Sequence, residues 1–128
     1  MNARHVLETC IYAVDLDATE KFYREVLGLS FYSKQPGRHV FFRCGDSMFL
    51  IFNPEKTSKE PHPHGAIGPG HAAFEMEMSD LEKWRAHLAA HGVKIDVDHT
   101  WPNGARSLYF SDPAGNNIEL ATKSVWGL

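Results

Sequence analysis

Three residues able to hold a divalent cation stand in otherwise strand-like runs: Glu8 in HVLETCIYAV, His71 in HAAFEMEM and Glu119 in NNIELAT. Side chains alternate across a strand, so Glu8 shares a face with Cys10 and Tyr12, opposite Thr9, Ile11 and Ala13. The same parity sets His71, Ala73 and Glu75 against Ala72, Phe74 and Met76, and sets Asn117, Glu119 and Ala121 against Ile118 and Leu120. The second row of each strand is expected to pack under a helix, which leaves Glu8, His71 and Glu119 on concave faces. A carboxylate there is costly to bury unless something pairs with it. If the sheets curl toward one another, two carboxylates and an imidazole make a workable ligand set for Zn, Mn, Fe or Ni, with no choice among them. Singly, each residue has a plainer explanation: a packed or edge histidine, a glutamate facing solvent. Their matched places in a repeated unit favour one site.

Around such a centre, parity makes Tyr12 and Glu75 the nearest candidates for acid or base work. A hydroxyl capping the cleft and a carboxylate orienting a ligand are equally good readings of the pair. Arg106 and Arg43 could hold an anionic substrate group, although arginine on a strand more often lies at a solvated edge. Phe49, Trp101 and Trp126 offer aromatic surface to a small molecule, with Phe49, Arg106 and Trp101 as the expected substrate pocket.

The elements that must position these residues occur twice. In module one, about residues 5–53, a strand closed by Asp15-Leu16-Asp17 is followed by a helix capped by Asp17 or Thr19. Phe22, Val26 and Leu29 form its stripe, and three short strands broken at Pro36-Gly37 and Gly45-Asp46 follow. Module two, about 70–122, repeats the order, with Ser79 or Asp80 as cap, Leu81, Trp84 and Leu88 as the stripe, and Gly92 as terminator. Two β-α-β-β-β modules follow, an α+β class. The 54–69 segment, rich in proline and glycine, reads as a linker without regular structure, and its His62 and His64 read as solvated. The chain has 128 residues, 43% of them hydrophobic, which suits one domain built of both modules. A net charge of −3 offers nothing to nucleic acid or an acidic membrane, so the expected partner is a small molecule. With no apolar run long enough to span a bilayer, no signal-peptide core and only Cys10 and Cys44, a cytoplasmic protein without disulfides is expected.

The run VDLDATEKFYREVLGL resembles the first-module signature of the vicinal oxygen chelate superfamily, which includes glyoxalases, bleomycin-resistance proteins and dioxygenases. YFSDPAGNNIEL resembles its second-module signature, and GPGHAAFE the approach to its central metal-bearing strand. The likeness covers nearly the whole chain. It implies two modules forming a curved, incomplete-barrel mixed sheet around a cleft, and metal ligands from the first and last strands of each module. On that pattern Glu8 lies where many relatives carry histidine, and His71 and Glu119 match the second-module ligands. Aligning GDSMF with GNNIE puts Phe49 at the fourth position. The resemblance therefore implies that the four-ligand shell of glyoxalase I is incomplete, which disfavours hemithioacetal isomerisation. A glutamate in first place also departs from the two-histidine, one-glutamate set of extradiol dioxygenases and fosfomycin-modifying enzymes.

Two functions fit. The first is a divalent-metal enzyme that chelates vicinal oxygens of a small substrate, as an isomerase, lyase, epoxide or thiol transferase, or dioxygenase. The second is a metal-free, bleomycin-resistance-type module that sequesters a drug against Phe49, Tyr12, Trp101 and Trp126. The Glu8, His71, Glu119 set favours the enzyme. A homodimer is expected, because relatives cover their exposed sheet edges by pairing.

Overall fold

The computed structural model describes residues 1–128, which fall into two compact units, Met1–Gly70 and His71–Leu128. The doubled β-α-β-β-β order holds in both. The first unit runs β1 (Glu8–Tyr12), α1 (Leu16–Glu25), β2 (Ser30–Gln35), β3 (His39–Cys44) and β4 (Ser47–Phe52), with sheet order β1-β4-β3-β2. β1 pairs with β4 in parallel and the other pairs are antiparallel, which makes the sheet mixed. Its core lies between this sheet and α1. Ile11 and Ile51 from the sheet pack with Leu16, Phe22 and Tyr23 of the helix, all buried. The ring of Tyr23 sits 5.1 Å from that of Phe49 and 5.8 Å from that of Phe42, so aromatic packing holds α1 to the strands.

α1 starts two residues earlier than an Asp17 cap would place it and four earlier than a Thr19 cap. The cap is Asp15, whose carboxylate accepts the Ala18 N–H at 3.0 Å, and Thr19 is inside the helix with its hydroxyl bonded to the Asp15 carbonyl at 2.7 Å. Asp17 is a first-turn acid that reaches Lys34 at 2.5 Å. Asp15 prevails because the chain leaves β1 just before it, in non-helical geometry, which is what a capping residue needs. Asp15→Ala is expected to cost about 1 kcal/mol of stability, read as a lowered urea midpoint at unchanged slope.

The stretch after β4 is also more ordered than its composition predicts. A short helix, α2 (Pro54–Thr57), follows β4, with Asn53 as cap accepting the Glu55 N–H at 3.1 Å and proline in the first turn, where its missing N–H costs nothing. The Thr57 hydroxyl is bonded to the carbonyls of Asn53 and His64, and the His64 ring stacks on Phe52 with centroids 4.4 Å apart. His64 is thus half-buried against the first unit rather than freely solvated, whereas His62 is exposed.

The second unit runs β5 (His71–Glu75), α3 (Leu81–Ala90), β6 (Val97–Thr100), β7 (Arg106–Ser111) and β8 (Asn117–Ala121), ordered β5-β8-β7-β6 with the same parallel and antiparallel pattern. A 3₁₀ turn, Met78–Asp80, leads into α3, and Asp80 occupies the cap position without a capping hydrogen bond. Met76, Leu81, Leu88, Leu108, Phe110, Ile118 and Leu120 form its core. The Asp112 carboxylate holds the turn before β8, accepting the backbone N–H groups of Ala114 and Asn116 at 2.9 and 2.8 Å. No helix is long and apolar enough to cross a membrane.

Candidate functional site

Strand β5 alternates as expected: Ala72, Phe74 and Met76 turn inward while His71, Ala73 and Glu75 are exposed. β8 lies beside β5 with Ala73 opposite Glu119, and directly opposed side chains share a face. His71 and Glu119 therefore lie on the same side of the sheet, with His71 Nε2 3.4 Å from Glu119 Oε2. The Glu119 side chain is only 9% exposed and that of His71 49%, so the pair has a buried and an open member.

Hydrogen bonding decides what this pair presents. His71 Nδ1 lies 3.0 Å from the Asn117 carbonyl oxygen, which can only accept, so Nδ1 carries the proton. In the neutral ring Nε2 is then a bare acceptor facing a carboxylate oxygen. Two acceptors at this separation repel unless a proton or a metal ion lies between them, and the donors are those a divalent cation takes. The residues fit a metal. Within either unit no three of His, Cys, Asp and Glu gather to hold a metal ion.

The neighbours on this face are aromatic and hydroxylic. Tyr109 stands directly opposite Glu119 on β7. Burial, followed by the neighbouring Glu119 carboxylate, pushes the Tyr109 phenol above its ordinary range. The ring stacks with His71 at 6.5 Å between centroids. Trp101 follows β6, is half-buried, and donates its indole N–H to the Ser107 hydroxyl at 2.9 Å. Sequence reasoning did not single out Tyr109 or Ser107. The available signal was parity: Tyr109 alternates with Leu108 and Phe110 in an otherwise apolar strand, as Glu119 does in its own.

Other expected site residues are placed differently. Arg106 opposes Thr100 and reaches the Asp98 carboxylate, which Arg85 of α3 also holds at 2.6 Å. It belongs to the helix-bearing side of the sheet, because the strand turns alternate residues away from Tyr109. Glu75 shares the His71 face but is exposed at the far end of β5, with Lys123 3.9 Å away. Trp126 is exposed.

In the first unit, Glu8 opens β1 as His71 opens β5, and it is exposed. Cys10 and Tyr12 share its face, and the Tyr12 hydroxyl lies 3.4 Å from Cys10 Sγ. That contact, together with desolvation, pushes the Tyr12 phenol up to about 12, against a lowering by the Gly65 N–H. It keeps its proton and is better suited to donating a hydrogen bond than to acting as a base. Arg43 lies over the Tyr32 ring at 4.8 Å.

Register corrects the fourth position. Glu119 faces Ala73, two residues after His71; two residues after Glu8 is Cys10, which faces Leu50. The counterpart of Glu119 is therefore Leu50, and Phe49 points the other way into the core, 2% exposed beneath Tyr23. The sequence alignment slips by one because β4 begins two residues after Gly45, at Ser47, and β8 begins two after Gly115, at Asn117, while the pairing partners are offset. Either residue is a hydrocarbon, so the position still lacks a ligand.

The model of the Glyoxalase/Bleomycin resistance protein/Dioxygenase superfamily matches residues 4–120. The metallothiol transferase FosB of Bacillus licheniformis is 34% identical over 113 residues, which cover 88% of this chain and 71% of that protein. The crystal structure of lactoylglutathione lyase from Agrobacterium tumefaciens matches with a TM-score of 0.94 at 39% identity over 99% of both chains. An integron cassette protein from the mobile metagenome of V. cholerae matches with a TM-score of 0.77 at 26% identity, over 97% of this chain and 98% of that one. A helix-covered β-α-β-β-β module that occurs twice, with a histidine and a glutamate paired on the first and last strands of the second, agrees with these matches: the chain belongs to the Glyoxalase/Bleomycin resistance protein/Dioxygenase superfamily.

Proposed function

We propose that the protein is a divalent-metal-dependent enzyme acting on a small substrate with adjacent oxygens, and that His71, Glu119 and Glu8 hold the metal. One observation carries the reading: with Nδ1 donating to the Asn117 carbonyl, the neutral His71 ring presents Nε2 as its coordinating nitrogen, 3.4 Å from a buried Glu119 carboxylate oxygen. Glu8 is the third ligand of choice because it opens β1 as His71 opens β5. A bound cation would supply Lewis-acid polarisation of substrate oxygens. The chain's own residues do the rest: Tyr12 and Tyr109 hold protons that can be donated as hydrogen bonds, and half-exposed His71 leaves an approach for substrate.

Among activities named for relatives, thiol transfer suits this centre better than lactoylglutathione formation, since Leu50 leaves one fewer ligand than the four-ligand shell of glyoxalase I. Both relatives' names point to thiol chemistry, so a thiol is proposed as one reactant and a small epoxide as the other. The sequestering alternative loses part of its aromatic wall, because Phe49 lies in the core. Protein dialysed against Mn, Fe, Ni and Zn in turn is expected to retain one metal per chain by elemental analysis. It should then consume thiol in the presence of a small epoxide. Protein that stays metal-free under all four conditions would sink the enzyme reading. We also infer a homodimer, checked by light scattering at micromolar concentration.

A further inference from the structure

The first unit carries a second group of chemistry-bearing side chains, diagonally across its sheet from Glu8. Register sets Tyr12, Phe52 and His39 in one row across β1, β4 and β3, and Cys10, Leu50 and Phe41 in the next, all on the Glu8 face. The rings of His39 and Phe41 are stacked 4.0 Å apart at 10°, Phe41 meets Phe52 edge-on at 5.2 Å, and His64 closes the wall by stacking on Phe52. Phe52 is buried, but Phe41 is half-exposed although β3 is an inner strand. The wall therefore has an open apolar side.

His39 adds one polar atom to that wall, and the hydrogen bond at its other nitrogen decides which. Arg38 Nη1 lies 2.5 Å from His39 Nδ1. A guanidinium can only donate, so Nδ1 is the bare acceptor and the ring proton sits on Nε2. Glu60, in the loop after α2, holds Arg38 at two points, from Nε to Oε1 at 2.9 Å and from Nη2 to Oε2 at 2.5 Å, and the guanidinium lies 5.8 Å over the Phe52 ring. Such a two-point pair fixes the direction in which the third donor points. A second proton, on Nδ1, would face that cation, so the ring stays uncharged. Burial first, then the Arg38 charge, hold the His39 pKa below the ordinary histidine range, against an opposing pull from Glu60. The other titratable groups nearby are His64, behind Phe52, and Tyr12, at the far end of the row; Gln35, opposite His39 on β2, carries no charge. The Nε2–H has no hydrogen-bond partner within the protein, and no buried side-chain polar atom is left without one, so Nε2 is reachable from outside.

We propose that His39, Phe41 and Phe52 form a binding subsite for a flat, uncharged group bearing an oxygen acceptor, such as an aryl ketone or amide, with His39 Nε2–H as the donor and the Glu60–Arg38 pair as the clamp that sets its tautomer. The class follows from the charge balance. Arg38 is neutralised by Glu60 and His39 carries no charge, so a carboxylate would lose its hydration and meet no cation in return. The subsite uses none of the proposed metal ligands and stands or falls independently of that assignment.

The test follows the metal-free full-length protein by NMR of its imidazole nitrogens and aromatic side chains, with acetophenone, ethylbenzene and benzoate as probes. Acetophenone is expected to perturb His39, Phe41 and Phe52 and to bind about 3–10-fold more tightly than ethylbenzene, which has the same shape and no acceptor; that is the size of one hydrogen bond. It should also bind more tightly than benzoate. His39→Phe, which keeps the ring wall and removes the donor, should bring acetophenone down to the level of ethylbenzene, whereas Phe41→Ala should weaken both. The His39 ring should show a bare Nδ1 and a protonated Nε2 at neutral pH and titrate at lower pH than exposed His62, and Arg38→Gln should raise its midpoint. The melting temperature of each variant separates a folding defect from a lost contact. Equal affinity of wild type for acetophenone and ethylbenzene, or a preference for benzoate, would overturn the subsite. A proton on His39 Nδ1 at neutral pH would overturn the clamp.

Discussion

Saturating divalent metal is expected to raise the melting temperature of the wild-type protein, and His71→Ala is expected to abolish that rise. Binding to the folded state alone stabilises by RT ln(1 + [L]/Kd), which is about 2.7 kcal/mol at a hundredfold excess over Kd. For a chain of this size that corresponds to a shift of roughly 5–10 °C. The physical driver is local. Glu119 is buried beside the Nε2 edge of His71, whose Nδ1 is engaged with the Asn117 carbonyl, so a cation placed between them would gain both a nitrogen and an oxygen ligand. EDTA should reverse the shift. Glu119→Gln, which keeps the shape and removes the charge, should reduce it, and Glu8→Gln tests the third ligand. His64→Ala should leave it intact, because His64 stacks on Phe52 in the first unit. Acid should weaken binding, since protons compete with the metal for imidazole and carboxylate. Wild type whose melting point ignores every metal offered, or a shift that depends on His64 and not on His71, would refute the assignment.

Phe49→Ala should destabilise the protein by about 3–5 kcal/mol, whether or not metal or ligand is present. Phe49 is 2% exposed, and its ring meets that of Tyr23 at 5.1 Å, at the seam between α1 and its sheet. Truncation leaves a cavity the surrounding strands cannot close, on a scale comparable with a large part of the stability of an ordinary domain. A substrate-contacting phenylalanine would behave differently, losing affinity with little loss of stability. Urea unfolding with no added metal separates the two: an unchanged midpoint would mean that Phe49 does not belong to the core.

Much of the architecture was legible because it depends on local chemistry that repeats. Parity put Ile11 and Ala13, and Met76 and Phe74, on the helix side, and the structure agrees, because a strand's two faces differ in apolar content wherever one is covered. The helix stripes were legible for the same reason at Phe22, Leu81 and Leu88, whereas Leu29 lies beyond the end of α1 and Tyr23 carries the packing there. The cap of α1 was not: Asp15, Asp17 and Thr19 can all cap in principle, and the choice falls to the residue at which the chain leaves β1. Composition misled at 54–69, where proline at the first turn and Asn53 at the cap make a helix rather than prevent one.

The residue types of the proposed site, Glu8, His71 and Glu119, together with the parity that turns His71 and Glu119 to one face, were determined by the amino-acid sequence alone. Only tertiary structure decided which residues stand opposite one another. Strand pairing moved the fourth position from Phe49 to Leu50, sent Arg106 to the helix side, and set Tyr109 opposite Glu119, ten residues away in sequence. The physical reason is register. A shift of one residue leaves a strand's own alternation intact but exchanges every neighbour across the ladder, and that choice is set by long-range packing that local composition does not encode.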